Sequence, residues 1–259
     1  MNNRLMLVLS VLTLCSAAFA EVPQFEGNLN TNGAGRVKVT VAPGDSLLAA
    51  SFAACLTATN ANPTITVTEL VSTNGLPAAA SVSEADEAAR LFVLENGQYK
   101  VYYNDAVNGW TAYASGSDTG SLANLSGEDA DTFAFTPGDG FWFRLPGEAS
   151  REIYLTGDVL LATQESITAG KGLNLLGTVL LDDWPLNTLS VANPYKSPRL
   201  FLSDYISVVT ASGTVNYYWN GTTFVTTDGQ DYRGATVKKG TGVRYFAKNA
   251  GPVITLKQE

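Results

Sequence analysis

Three blocks of sequence recur in the same order in the two halves of this 259-residue chain. Self-similarity at that scale limits the fold more than any local pattern, because each copy must close a core of its own or lean on its neighbour. The opening block is Val41-Ala42-Pro43-Gly44-Asp45-Ser46-Leu47-Leu48 in the first half and Ile167-Thr168-Ala169-Gly170-Lys171-Gly172-Leu173-Asn174-Leu175-Leu176 in the second. The middle block sets Arg90-Leu91-Phe92 against Arg199-Leu200-Phe201, and Gly97 to Asn104 against Gly213 to Asn220, with Trp110 and Phe224 as matching aromatics after the turn. The closing block sets Phe135-Thr136-Pro137-Gly138-Asp139-Gly140-Phe141-Trp142-Phe143 against Val237-Lys238-Lys239-Gly240-Thr241-Gly242-Val243-Arg244-Tyr245. Each copy then ends in a short apolar strand, Ile153-Tyr154-Leu155 or Val253-Ile254-Thr255-Leu256.

The residue types inside the blocks are those of strands. Val, Ile, Thr, Tyr, Phe and Trp cluster in short runs broken by Gly, Asn, Asp and Pro, and no long helical period is present. Asn108-Gly109 and Asn220-Gly221 are hairpin signals, since a type I′ turn needs positive φ at both central residues. Thr136-Pro137-Gly138-Asp139 suits a type II turn. One segment, Ser83 to Arg90, has a capping Ser, early acids and a closing Arg, and is expected to form a short helix that its proline-bearing counterpart, Asn193 to Pro198, cannot form. The expectation is an all-β protein of two tandem, divergent copies of a small antiparallel β-sandwich or barrel module, with little helix. Its organisation reads as a signal peptide over 1–20, a flexible N-terminal arm over 21–35, a first module over 36–162 and a second over 163–259. Ala114 to Asp131 is expected to be a long loop.

The leader is read from its order of parts: Arg4, a mostly apolar stretch from Leu5 to Leu14, then Ala18-Phe19-Ala20 before the cleavage point at Glu21. About ten residues of apolar core fall short of the ~20 that span a bilayer. The expected location is therefore secreted: extracellular, periplasmic or cell-surface associated, with no membrane span. Removing the leader takes away Arg4 and no acid, moving the net charge from −8 to −9. That sign disfavours nucleic acid and anionic membranes as partners. The chain has no histidine, which excludes Ser-His-Asp and Cys-His catalysis and imidazole-bearing zinc sites. No cofactor is indicated. Only Cys55 remains after cleavage, so no disulfide can form within the mature chain; it reads as a small buried apolar residue, with pairing between chains as the alternative.

Gly170-x-Gly172-Leu-Asn-Leu-Leu-Gly177, a central Tyr/Trp hairpin and Pro137-Gly138-x-Gly140-Phe-Trp-Phe-Arg144 together resemble the duplicated modules of uncharacterised exported proteins of Verrucomicrobia and related bacteria, and the "GWNL … PGxGYW" modules of bacterial surface proteins. The first half departs from the pattern at its opening and the second at its close, where Trp is missing. The resemblance implies an extracellular β module and carries over no functional residue.

The candidate ligand-binding residues are the hairpin aromatics Tyr102, Tyr103 and Trp110, with Tyr217, Tyr218 and Trp219 in the twin hairpin. Neighbouring strand residues point to opposite faces, so each Tyr-Tyr pair must turn one ring away from the core, where it can stack on a sugar. Trp142, in the densest apolar run, is expected to be buried. Glu128, Asp129 and Asp131 are the candidate calcium ligands, beside a second acidic spot at Asp182 and Asp183. Asp118-Thr119-Gly120-Ser121 matches a protease string in the wrong context and reads as loop. The functional expectation is an exported structural or cell-surface/matrix interaction protein without catalytic activity. The alternative is a carbohydrate-binding protein using the hairpin aromatics, and the third reading a histidine-free carboxylate-dependent glycosidase. Glycans or other cell-surface and matrix components are the expected partners.

Overall fold

The computed structural model describes residues 24–28, 34–52, 64–95, 98–115, 122–129, 133–159, 161–179, 183–210 and 213–257. Residues 1–20, read above as a leader, Cys55, Asp118 to Ser121, Asp131 and Asp182 lie outside these residues, and of Glu128 and Asp129 only the backbone is described. The protein is all-β, built from antiparallel sheets without barrel closure.

In chain order the first half contains β1 (Gln24–Asn28), β2 (Ala34–Val41), β3 (Gly44–Ala49), β4 (Ile65–Thr66), β5 (Arg90–Glu95), β6 (Gln98–Asp105), β7 (Gly109–Ser115), β8 (Leu122–Asp129), β9 (Ala134–Phe135), β10 (Gly140–Leu145) and β11 (Arg151–Asp158). The second contains β12 (Leu161–Thr168), β13 (Gly172–Leu176), β14 (Trp184–Pro185), β15 (Leu189–Ala192), β16 (Tyr205–Thr210), β17 (Gly213–Trp219), β18 (Phe224–Val225), β19 (Thr236–Val237), β20 (Val243–Ala247) and β21 (Val253–Lys257). The first-half sheet runs β3-β10-β5-β6-β7-β8 and the second β13-β20-β16-β17-β18. Each is faced by a smaller layer, the β2-β11 ribbon in one half and β1-β12-β21-β15 in the other. The strands β4-β9 and β14-β19 form matching short pairs.

Alternation explains the cores. Along β10, Phe141, Phe143 and Leu145 turn inward and meet Val37, Val39 and Val41 of β2 and Ile153 and Leu155 of β11. In the second half Val243, Tyr245 and Ala247 of β20 meet Ile167, Ile254 and Leu256. Gly44 and Gly172, at φ +93° and +99°, open β3 and β13 in a conformation that L side chains rarely adopt.

Several expectations are corrected. The register aligns Tyr102 with Tyr217 and Tyr103 with Tyr218, one residue away from the sequence alignment, because Arg90 pairs with Tyr103 as Tyr205 pairs with Tyr218. A one-residue slip exchanges the two faces of a strand, and only this register sends Tyr102 and Tyr217 inward together. Arg199 leads into a 3-10 turn, Leu200–Leu202, rather than a strand. The Ser83 to Arg90 segment is a 3-10 turn over Val82–Glu87, with no side-chain cap, and Arg90 already belongs to β5. The expected arm includes β1, paired with β12, and the expected long loop includes β8, paired with β7. The boundary placed at 162/163 falls inside β12. At Asn220-Gly221 only Gly has positive φ; Asn220 Oδ1 instead accepts from the N–H groups of Thr222 and Thr223, so a side-chain turn replaces the type I′ turn.

The halves meet reciprocally. Leu48 bridges Thr241 while Leu176 bridges Asp139; the Ala49 N–H donates to Gly240 O at 3.0 Å while the Gly177 N–H donates to Gly138 O at 2.6 Å. These bridges and bonds are reciprocal, which is the pattern of a two-fold interface, here inside one chain. Side chains cannot enter it. A Cβ on Gly140 would lie 2.9 Å from the Leu175 carbonyl carbon, and one on Gly242 would lie 2.6 Å from Leu176 O.

Candidate functional site

The inward turn of Phe141, Phe143 and Leu145 leaves Trp142 and Arg144 on the outer face of β10. Antiparallel pairing then fixes their neighbours. Trp142 lies opposite Phe92 of β5, and Arg144 lies opposite both Asp45 of β3 and Arg90 of β5. Tyr99, exposed on β6, faces the same way as Phe92 by the same alternation. The two-fold junction adds Arg244, which holds on β20 the position that Trp142 holds on β10; its guanidinium carbon sits 5.5 Å from the Trp142 ring centroid. Asp45, Phe92, Tyr99, Trp142, Arg144 and Arg244 line an open cleft of about 350 Å³. Trp142 is therefore half-buried and solvent-facing, against the expectation of burial.

Arg144 grips Asp45 through two parallel bonds, Nε to Oδ1 at 2.5 Å and a terminal nitrogen to Oδ2 at 2.7 Å. Both side chains are about two-fifths exposed, so the pair fixes geometry more than it stabilises the fold. Phe92 lies between two cations, with the Arg144 and Arg90 guanidinium carbons 5.2 and 5.9 Å from its centroid. Arg90 is itself paired with Asp86. Arg244 has no ion-pair partner among the described residues, and its Nε is buried without an acceptor. Asp45 is the one carboxylate among the cleft residues, whereas acid–base hydrolysis of a glycoside takes two facing each other. The lining residues offer stacking, charge and hydrogen bonding.

The hairpin aromatics do not form the expected platform. Tyr102 is buried beside Phe133, and Trp110 is buried with its Nε1–H donating to Val71 O at 2.7 Å. Tyr103 does turn outward, but it is roofed by Ala85 of the Val82–Glu87 turn together with the flanking Ala79 and Ala88, and its hydroxyl donates to Asp105 Oδ2 at 2.8 Å. Tyr217 is buried in the second core, and Trp219 packs on Phe224 from the same inner side. Only Tyr218 turns a half-exposed ring outward, 5.4 Å from Tyr205, which stacks on Phe246 at 5.3 Å and 6°. The expectation that each Tyr-Tyr pair exposes a ring thus fails in the first half, because alternation orients a side chain without saying what covers it. The cleft residues were within reach of the same rule: in Phe-Trp-Phe-Arg-Leu the second and fourth residues share a face opposite the other three.

The proposed calcium ligands Glu128, Asp129 and Asp131 fall where side chains are not described; among the described residues no three acids, cysteines or histidines converge. Asp183 is engaged by Lys238 Nζ at 2.6 Å and the Lys239 N–H at 3.0 Å, bonds that hold its carboxyl below the usual carboxylate range. A second hollow, about 300 Å³ beside the β2-β11 ribbon, has paired groups in its lining: Arg36 lies 3.3 Å over Tyr154, and Glu152 is bonded to Lys38 at 2.8 Å. No described helix is long and apolar enough to cross a membrane. No family model, no curated protein and no solved structure matches the chain.

Proposed function

We propose that this chain is an exported, non-catalytic binding protein that holds carbohydrate in the cleft where its halves meet. The observation that carries the reading is the solvent-facing grouping of Phe92, Tyr99 and Trp142 around the Arg144–Asp45 pair. Flat rings take the apolar faces of sugar rings, and a fixed carboxylate–guanidinium pair supplies both acceptors and donors for their hydroxyls. Export rests on the sequence of residues 1–20, where a basic residue, an apolar stretch and Ala-Phe-Ala follow one another as in a leader. A second reading, a structural contact protein of an envelope or matrix, is favoured by the Tyr218-Tyr205-Phe246 row and by exposed Tyr195, Phe201 and Leu202.

The mature protein is to be screened on a glycan array and for hydrolysis, beside Trp142→Ala and Tyr218→Ala. Binding lost in Trp142→Ala and kept in Tyr218→Ala, with no sugar released, is the expected outcome. Hydrolysis, or binding indifferent to Trp142, overturns the proposal.

A further inference from the structure

We infer that the cleft selects a saccharide bearing a carboxylate, a uronic acid unit, over its neutral counterpart; this rests on the carbohydrate reading above. The lining carries two guanidiniums, Arg144 and Arg244, against one carboxylate, Asp45, so it is locally cationic. That sign runs against the chain as a whole, whose net charge is −8. Screening limits the reach of the distant acids to about 8 Å at physiological salt, which leaves the local charges to decide what settles in the cleft.

The two arginines have different roles. Arg144 has its charge paired by two bonds to Asp45, which in turn holds it over Phe92. Among the described residues Arg244 has no carboxylate partner; it lies against the Trp142 ring and buries an Nε–H without an acceptor. Arg244 lines the cleft and is only half-buried, and a guanidinium is a planar fork matched to a carboxylate. A uronate ring stacked on the cleft aromatics brings its carboxylate to the group that lacks one. A neutral sugar leaves that cation uncompensated. The cleft volume of about 350 Å³ lies at the small end of ligand sites, which run to about 1,000 Å³, and suits one short stretch of glycan.

The test is calorimetric titration of the full mature chain with trisaccharides of galacturonate, mannuronate and glucuronate, each beside its methyl ester, which keeps the ring and removes the charge. At least one acid is expected to bind about tenfold tighter than its ester, as a single charge-assisted contact warrants. Arg244→Gln should bring acid and ester together, and Arg244→Lys should keep only part of the difference, because the charge survives and the fork does not. Melting curves confirm that each variant is folded, and a variant that does not fold leaves the other to carry the comparison. Equal binding of acid and ester by the unaltered protein, or a preference that survives Arg244→Gln, overturns the inference while leaving carbohydrate binding in place. If neither the acids, the esters nor any arrayed glycan binds, the functional reading itself falls, and this inference with it.

Discussion

On the outer face of the first half, one row of side chains crosses four strands as Asp45, Arg144, Arg90 and Tyr103. The same row in the second half reads Leu173, Phe246, Tyr205 and Tyr218. A charged ladder in one copy stands where a largely aromatic one stands in the other. Inside, the same registers pair like with like: Tyr102 with Tyr217, Leu48 with Leu176, Phe143 with Tyr245, all buried. The core positions are held by close packing, where volume must be matched, while the outer positions are free to take on whatever chemistry a ligand asks of them. The next row sharpens the point. Trp142 and Arg244 are equivalent positions brought together by the two-fold junction, and they interact because they differ: two arginines there would repel, and Arg244 would have no ring to lie against.

The largest way to test the likeness of the halves is to remove matching core anchors. Trp110→Ala should cost ~3–5 kcal/mol, and Phe224→Ala, at the equivalent position, should fall in the same range, as large aromatics removed from cores do. Trp110 should be the costlier of the two, since its bond to Val71 O is lost as well. Calorimetry of both variants decides whether the reciprocal junction couples the halves: a single lowered transition is expected in each. Two separated transitions would mean that the halves unfold independently.

Next come the glycines. Gly140→Ala and Gly242→Ala put a Cβ against backbone at the junction, an overpacking of about 1–3 kcal/mol. Gly44→Ala and Gly172→Ala meet no atom, and should pay only the left-handed backbone cost of roughly 1–2 kcal/mol. Chemical denaturation of the four variants should place Gly242→Ala lowest, because 2.6 Å to a carbonyl oxygen leaves least room, with the two turn variants close together.

This pattern of glycines shows how much the sequence could disclose. Gly44, Gly138 and Gly240 advertise turns, and all three have positive φ. Gly140 and Gly242 look the same in sequence, yet both are required by backbone packed at the junction, Gly140 by Leu175 of the other half and Gly242 by Leu176 O of its own half and Leu48 O of the other, which no local signal contains. The cleft was half legible for a similar reason. Alternation along Phe141 to Leu145 puts Trp142 outside, but Arg244 reaches it only through the junction, about one hundred residues away in the chain. Tyr103 was misjudged in the reverse sense, since its roof is a 3-10 turn whose docking depends on small Ala side chains rather than on any strong helical signal.

A smaller effect separates the halves by pH. Asp139 stands where the second half has uncharged Thr241. Part of the residue meets solvent, yet its carboxyl is crowded by protein, and that desolvation raises its pKa to about 6 against the pull of the Thr136 N–H. A folded pKa above the unfolded value gives a stability contribution that is complete below about pH 4 and is lost as pH rises through about 6. Allowing for its partial exposure, the effect is on the order of 1–2 kcal/mol. Asp139→Asn should therefore melt near the unaltered protein at pH 4 and above it at pH 8. Parallel melting curves across that interval would refute the assignment.

The smallest expected effect on stability concerns Trp142, and it is best read beside its neighbour. Phe143 and Trp142 are consecutive residues of β10 that point to opposite faces, the first fully buried against Trp110, the second lining the cleft. Phe143→Ala removes a ring from a packed interior and should cost ~3–5 kcal/mol. Trp142→Ala removes a ring that leans on Arg244 and still meets water, so about 1 kcal/mol or less is expected, in the range of surface substitutions and partly exposed cation–ring contacts. Ligand binding should invert that order. Phe143→Ala, measured below its lowered midpoint, keeps the cleft lining and should retain sugar affinity, whereas Trp142→Ala, folded and nearly as stable as the parent, should lose it. Were Trp142→Ala instead to destabilise the chain as much as Phe143→Ala, the ring would be holding the two halves together, and the outer face of β10 would be a structural seam rather than a binding surface.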